Sequence, residues 1–431
     1  MARAMKDSGI EWIGEIPEGW ECKKLKFCSQ FVQQKYDDKS DINLSYIGLE
    51  NVVSWNGKYI ETDSQYDKEQ SVLFQSGDIL WGKLRPYLAK VYHAKSDGCC
   101  SGEFCVIRVG RQYSDRYFWN LLISSEFVST VDRSTYGTKM PRANADFIKN
   151  VVVPVPPINE QSLIADFLDA ECARIDAVIE QTRTSIEEYK KLKQSVITQA
   201  VTKGIRPDQK MKDSGVEWIG EIPEDWRLTK TLNCLSMPIT DGPHTTPELF
   251  DEGIAFISAE AVSCGNGRID FSHKRGYISQ EFYEECCKKY IPEIDDIYMI
   301  KSGATTGRVS IVDTLEPTFT IWSPLAVFRC NREMMAPRFL YYALQSKGFQ
   351  KQVEFGWTFG TQQNIGMRTL EQLKVCVPQV EEQKEIAEYL DKKCAEIDSL
   401  IHKKQQFLAE LESYKKSLIY EYVTGKKEVP V

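Results

Sequence analysis

The sequence predicts an α+β protein. Two α+β domains of one fold are joined by two long helices that pair as an antiparallel coiled coil, with an internal pseudo-two-fold. Three observations carry this reading. Met5 to Trp20 (MKDSGIEWIGEIPEGW) returns almost unchanged as Met211 to Trp226 (MKDSGVEWIGEIPEDW). Two long polar-apolar segments superpose at a constant offset of 222 residues. Between the copied pieces lie two stretches of similar length that resemble each other only faintly. A duplicated frame holding unlike inserts suggests one scaffold that presents two different recognition surfaces.

The elements follow in order. Residues 1–20 are the first repeat motif, and 21–155 form the first α+β domain. Its β-like runs are Leu44-Ser45-Tyr46-Ile47, Gly77 to Trp81 and Cys105 to Val109, punctuated by the Gly, Asn, Asp and Pro that turns require. A helix is expected at Arg116 to Leu122, then a Gly137-Thr138 loop and a last strand at Val151 to Val155. Residues 206–226 are a linker and the second repeat motif. The second domain, 227–377, repeats the style with Ala255 to Ser258, Asp296 to Ile300 and Ala326 to Arg329. A helix at Arg338 to Leu344, a Gly360-Thr361 loop and a strand at Leu373 to Val377 complete it. The aromatic runs Tyr117-Phe118-Trp119 and Tyr341-Tyr342 read as core.

The helical segments are 156–205 and 378–425, with a short tail at 426–431. In the first, Ile164, Leu168, Ile175, Ile179, Ile186, Tyr189 and Val196 fall on steps of three, four or seven residues. In the second, Ile386, Leu390, Ile397, Ile401, Leu408, Leu411 and Leu418 do the same. Such a seam, with Glu and Lys between, marks a coiled-coil helix. Neither segment is interrupted by Pro or Gly before Gly204 and Gly425, which suit helix ends. Each spans about 40 residues, roughly 60 Å at the helical rise. A seam kept for its whole length favours pairing of the helices with each other over packing of each on its own domain.

Composition narrows the function. The 431 residues carry a net charge of −8, which argues against holding nucleic acid by bulk electrostatics alone. Each insert is close to neutral, so a local basic face remains open. The thirteen cysteines are an odd number with no C-x-x-C spacing, so they read as reduced thiols rather than a zinc site. Met1 to Ala4 lack the apolar run of an export signal, and no stretch reaches the length of a membrane span, so a cytoplasmic protein is expected. Gly303 to Arg308 lacks the Gly-Lys-Ser/Thr ending of a P-loop, and the histidines at 93, 244, 273 and 402 have no ligand spacing. The expectation is a chain that catalyses nothing alone.

The order of pieces resembles the specificity subunit of a type I restriction-modification system. The resemblance covers nearly the whole chain. It rests on the two S-G-x-E-W-I-G-E-I-P-E-x-W openings and on the Pro-Pro-Ile-Asn-Glu-Gln and Val-Glu-Glu-Gln helix starts. It also rests on Gly77-Asp78-Ile79-Leu80, Lys301 to Arg308, and Asp241-Gly242-Pro243-His244-Thr245-Thr246-Pro247. It implies two target-recognition domains reading the two halves of an asymmetric bipartite site on double-stranded DNA, with the helices setting the gap. It further implies two methyltransferase subunits and restriction subunits as partners. S-adenosylmethionine, magnesium and ATP would then sit on those partners, with none bound by this chain. A coiled-coil adaptor without DNA contact and a fused restriction enzyme are the competing readings. Two unlike inserts speak against the first, and the lack of leftover chain speaks against the second.

Reading DNA needs side chains that reach base edges and cations that hold phosphates. In the first domain the candidates are Lys83, Arg85 and Tyr87, with Lys139, Arg142 and Asn144. In the second they are His244, then Lys301, Ser302, Thr305, Thr306 and Arg308, with Gln362, Gln363 and Asn364. Gln and Asn suit adenine, and Arg suits guanine. Trp12 and Trp218 lie in the copied motifs and are expected to serve packing or docking.

Overall fold

A computed structural model describes residues 3–36, 44–62, 71–137, 139–359 and 363–430. Thr138 and residues 360–362 fall outside them, and with them the expected Gly-Thr loop positions Thr138, Gly360 and Thr361. The chain forms two compact units. One comprises Met1–Arg183 with Gln405–Val431, the other Thr184–Lys404. Each unit therefore holds one α+β domain and a half of each long helix.

In the first unit a four-stranded antiparallel sheet runs Ser29–Val32, Phe104–Val109, Ile79–Gly82, Val91–His93. A three-stranded sheet adds Tyr46–Ile47, Gly98–Cys100 and Val72–Phe74. The second unit repeats the larger sheet as Thr240–Asp241, Leu325–Phe328, Ile297–Ile300 and Val309–Ile311; its smaller sheet is also three-stranded but has its first strand in chain order at the centre, where the first unit has its last. Gly276–Ile278, Ile254–Ile257 and Phe319–Ile321 form the smaller. The expected last strands pair backwards with the strand that opens each domain, Val152–Val155 with Glu21–Lys24 and Lys374–Val377 with Arg227–Lys230. These runs are strands because apolar, often β-branched side chains can be buried on a pleated surface; Ile79, Leu80 and Trp81 have no exposed surface at all. The Asp of the Gly-Asp-Ile-Leu run has a structural task. Arg108 on the neighbouring strand grips buried Asp78 at 2.8 and 2.7 Å, and Arg329 grips buried Asp296 at the same two distances. A buried carboxylate needs such a bidentate partner.

The expected helices are Asp115–Ile123 and Pro337–Gln345, and their aromatic runs enter the core. The pattern gave no warning of the short helices Ser125–Asp132, Ala259–Cys264, Gln280–Cys287 and Lys347–Phe355, whose apolar repeats are too brief to show a period.

The long helices run Ile158–Lys203 and Val380–Val423, and each stops at a glycine in the left-handed region, Gly204 (φ 76°) and Gly425 (φ 72°). In the first unit Phe167 stacks on Tyr422 with ring centroids 4.5 Å apart, Asp176 meets Lys415 at 2.6 Å and Arg183 meets Glu412 at 2.9 Å. Rising numbers on one helix match falling numbers on the other, so the helices are antiparallel there. In the second unit Tyr189 lies under Lys404 and Lys193 meets Asp398 at 2.7 Å, again antiparallel. Packing on the domains occurs as well as pairing. Ile164, Leu168, Leu418, Tyr422 and Val423 join the core of the first domain, and Ile197, Ala200, Val201, Ile386 and Leu390 join that of the second. Of the expected seam, Ile175, Ile179, Ile186 and Ile397 are buried, while Tyr189, Val196, Ile401, Leu408 and Leu411 are only half-buried.

The copied motifs fasten the helix starts. Trp20 and Trp226, fully buried, donate their indole N–H to Glu160 and Glu382 in the first helical turns at 2.9 and 3.2 Å. The next residues, Gln161 and Gln383, are buried too. Each accepts from a backbone N–H of the domain, Ser114 at 2.9 Å and Ala336 at 2.7 Å, and donates to Pro156 and Pro378 carbonyls. Identical Glu-Gln pairs thus answer identical backbone demands at the two helix starts.

Candidate nucleic-acid interface

In the first unit the two candidate loops are stitched into one edge. The backbone at Leu84 bridges Arg142, and Arg142 bridges Tyr136. The Arg85 N–H donates to the Pro141 carbonyl at 2.8 Å and the Ala143 N–H to the Lys83 carbonyl at 2.9 Å. Lys83, Arg85, Tyr87, Lys139 and Arg142 therefore share one edge, although nearly fifty residues separate the loops. Arg85 adopts a left-handed backbone (φ 50°) ahead of the single turn Pro86–Leu88, and Tyr87 projects from that turn, exposed. Lys83 reaches the Gly102 carbonyl at 2.6 Å, and Arg142 lies 3.1 Å from Glu103. Asn144 caps the helix Ala145–Asn150, accepting from the Asp146 N–H at 2.8 Å, so its side-chain oxygen is engaged locally.

The second unit joins its loops in the same way. Ser302 bridges Asn364, the Gly303 N–H donates to the Gln363 carbonyl, and the Ile365 N–H to the Lys301 carbonyl, each at 2.9 Å. Gln363 and Asn364 are exposed. Thr305 is half-buried in the same loop. Thr306 closes the loop on itself through the Gly303 carbonyl, and Arg308 is exposed beside the Ser263 carbonyl. Gln362 lies outside the described residues.

Lys301 is placed differently from an open phosphate contact. Its side chain is only 13% exposed and its ammonium lies 2.9 Å from Asp241, a carboxylate with no exposed surface. Lys289 at 2.5 Å and His244 at 3.2 Å flank the same carboxylate, and these two reach solvent. Burial pushes the Asp241 carboxyl up. Hydrogen bonds and charge from Lys289 and Lys301 outweigh burial and hold it below the usual carboxylate value. Gly242 must be glycine here, since a Cβ would stand 2.0 Å from the Ile321 carbonyl oxygen. Asp241 of the Asp-Gly-Pro-His run is thus a buried anchor for cations. Sequence reasoning missed Lys289, which follows an unforeseen helix, and in the first unit it passed over Tyr136 and Met140, whose apolar side chains stand in a loop of cations.

Both edges combine cations with amide or aromatic groups, a set suited to phosphates and base edges. Among the described residues no group of three His, Cys, Asp or Glu side chains is placed to hold a metal ion, and no helix is long and apolar enough to cross a membrane. The sequence matches the family model of the type I restriction modification DNA specificity domain over residues 17–188 and again over 247–410. The chain belongs to that family. Its two matches fall on the two domain-plus-helix repeats, and the function of this type I specificity subunit is DNA target recognition and complex assembly. It is 27% identical to the type I restriction enzyme MjaVIII specificity subunit of Methanocaldococcus jannaschii over 425 residues, covering 96% of this chain and 94% of that one. It is 24% identical to the EcoBI specificity subunit of Escherichia coli over 331 residues, covering 75% and 68%. A solved chain from work on complex assembly and conformational transition of the type I R-M system shares the fold. It has a TM-score of 0.73 at 19% identity and covers 96% of this chain and 99% of the other.

Proposed function

We propose that this specificity subunit reads an asymmetric bipartite site on double-stranded DNA, one half-site per unit, and that the paired helices set the gap and dock two methyltransferase subunits. One observation carries the reading. The same backbone stitching joins two loops at one edge of each domain, yet the side chains it presents differ: Lys83, Arg85, Tyr87, Lys139 and Arg142 in one, Ser302, Thr305, Thr306, Arg308, Gln363 and Asn364 in the other. Equivalent frames with unlike side chains suit two unlike base sequences. Lys289 and His244 supplement the second edge as phosphate contacts.

Apolar side chains on the helices remain solvent-facing: Phe407 and Tyr414 in the first unit, Leu192 and Leu400 in the second. Such residues suit covering by partner subunits. Methylation of adenine with S-adenosylmethionine, and ATP- and magnesium-dependent restriction, belong in this reading to the methyltransferase and restriction subunits. The chain itself binds none of these cofactors, is non-catalytic and acts in the cytoplasm. The test is methylation of a mixed DNA pool by the purified chain with its methyltransferase partner. A bipartite motif is expected, and exchanging residues 227–377 for a relative's is expected to alter one half only. Methylation without any motif, or a change in both halves, would overturn the proposal.

A further inference from the structure

The two edges differ in physical kind. Tyr136 is 64% exposed, Met140 59% and Tyr87 46%, and all three project from the stitched loops of the first unit. Lys83, Arg85, Lys139 and Arg142 lie in the same loops. The backbone is bent to keep Tyr87 outward. Arg85 (φ 50°) and Ala89 (φ 45°) both take left-handed conformations that cost a side-chain-bearing residue energy, on either side of Pro86–Leu88. At the corresponding place in the second unit Gly303 (φ 99°) takes the left-handed conformation without that cost, and the described side chains of 301–308 and 363–365 are hydroxyls, amides and the cations Lys301 and Arg308, with no large apolar side chain exposed among them.

Large apolar side chains framed by cations call for an apolar surface framed by phosphates. Duplex DNA offers two: thymine methyl groups, and the faces of bases where a step is opened. Two tyrosines and a methionine present far more apolar area than a methyl group can cover. We propose, on the reading that this edge binds DNA, that Tyr136 and Met140, backed by Tyr87, form a wedge that unstacks one base step in the half-site read by the first unit. The surrounding cations hold the flanking phosphates. The second unit reads its half-site by hydrogen bonds without opening a step. The specificity of the first unit then includes how easily its step unstacks, and pyrimidine–purine steps yield most readily.

The test uses the full chain assembled with its methyltransferase partner, without methyl donor, on a duplex carrying the target defined by its methylation motif. 2-Aminopurine replaces each purine in turn, except the methylated adenines and the purines stacked on them, because a methyltransferase extrudes its target base and unstacks its neighbours. Fluorescence is expected to rise at one step of one half-site and nowhere in the other. Tyr136→Ala with Met140→Ala is expected to abolish the rise and weaken binding at least about tenfold. The slope of log affinity against log salt is expected to stay the same, because no phosphate contact is lost. Tyr136→Phe with Met140→Leu is expected to keep the rise. A wild-type complex that methylates a bipartite motif yet shows no rise would overturn the wedge alone, as would a rise that survives the alanine pair. A complex with no motif would overturn both the DNA reading and the wedge.

Discussion

Lys415 donates to Asp176 at 2.6 Å between the two long helices of the first unit, with both side chains nearly buried. The pair recurs in the second unit as Lys193 and Asp398 at 2.7 Å. The roles are exchanged: the lysine of one pair and the carboxylate of the other lie on the same helix. The repeat therefore fixes the helix register once in each unit. The first pair is the more demanding, because Asn56 also donates to Asp176 at 2.9 Å.

That difference predicts unequal costs. Lys415→Met leaves Asp176, in a poorly solvated place, with only the exposed Lys58 ammonium 3.9 Å away as a cation and is expected to destabilise the first unit by about 2 kcal/mol. Lys193→Met, at the more exposed pair, is expected to cost about 1 kcal/mol or less. Urea unfolding followed by tryptophan fluorescence ranks the two. Equal losses would contradict the burial argument.

The glutamines at the helix starts are expected to matter as much as core residues. Gln161→Ala strands the Ser114 N–H and the Pro156 carbonyl, and Gln383→Ala strands the Ala336 N–H with the Pro378 carbonyl. Each loss is expected to cost about 1–3 kcal/mol. Thermal unfolding of the two variants checks this, with Gln161→Glu as the control that keeps the acceptor.

Asp241 predicts an acid-sensitive second unit. Its folded value lies below the ordinary 3.8, so the folded state favours the ionised form. The stabilisation is complete above that ordinary value and disappears as pH falls through the lower, folded one. Unfolding measured from neutral pH to about pH 3 is expected to show this loss. Asp241→Asn is expected to be less stable at neutral pH and flatter across the acid range. A variant with the wild-type acid slope would contradict the assignment.

Side chains at the two edges are expected to fail in different ways. Gln363→Ala is expected to cost about 1–3 kcal/mol and relax discrimination at one position of one half-site. Lys139→Ala is expected to weaken binding for all sequences and reduce the salt slope by about one unit. Competition binding over a series of salt concentrations by the assembled complex separates these outcomes.

Legibility followed chemistry that is local in the chain. The expected helix at Arg116 to Leu122 lies within Asp115–Ile123, and the expected strand at Cys105 to Val109 within Phe104–Val109, because their side-chain period alone matches one structure. Asn144 shows the opposite case. Its residue type suits adenine as well as a helix cap, and only the geometry of Ala145–Asn150 assigned its oxygen to the cap. Lys301 is similar: its buried partner Asp241 stands sixty residues upstream, so no local pattern announces the pairing.

The sequence by itself determined the duplicated frame, the long helices with their glycine stops, and the unlike inserts between them. Those follow from periodicity and self-similarity, which short-range forces write into the order of residues. Only the tertiary structure decided that Leu84 meets Arg142 and Ser302 meets Asn364, that Gln161 and Gln383 close buried backbone gaps, and that each helix end enters a domain core. These are contacts between segments far apart in the chain. They arise from burying apolar surface and satisfying backbone groups together, a condition that no stretch of residues meets alone.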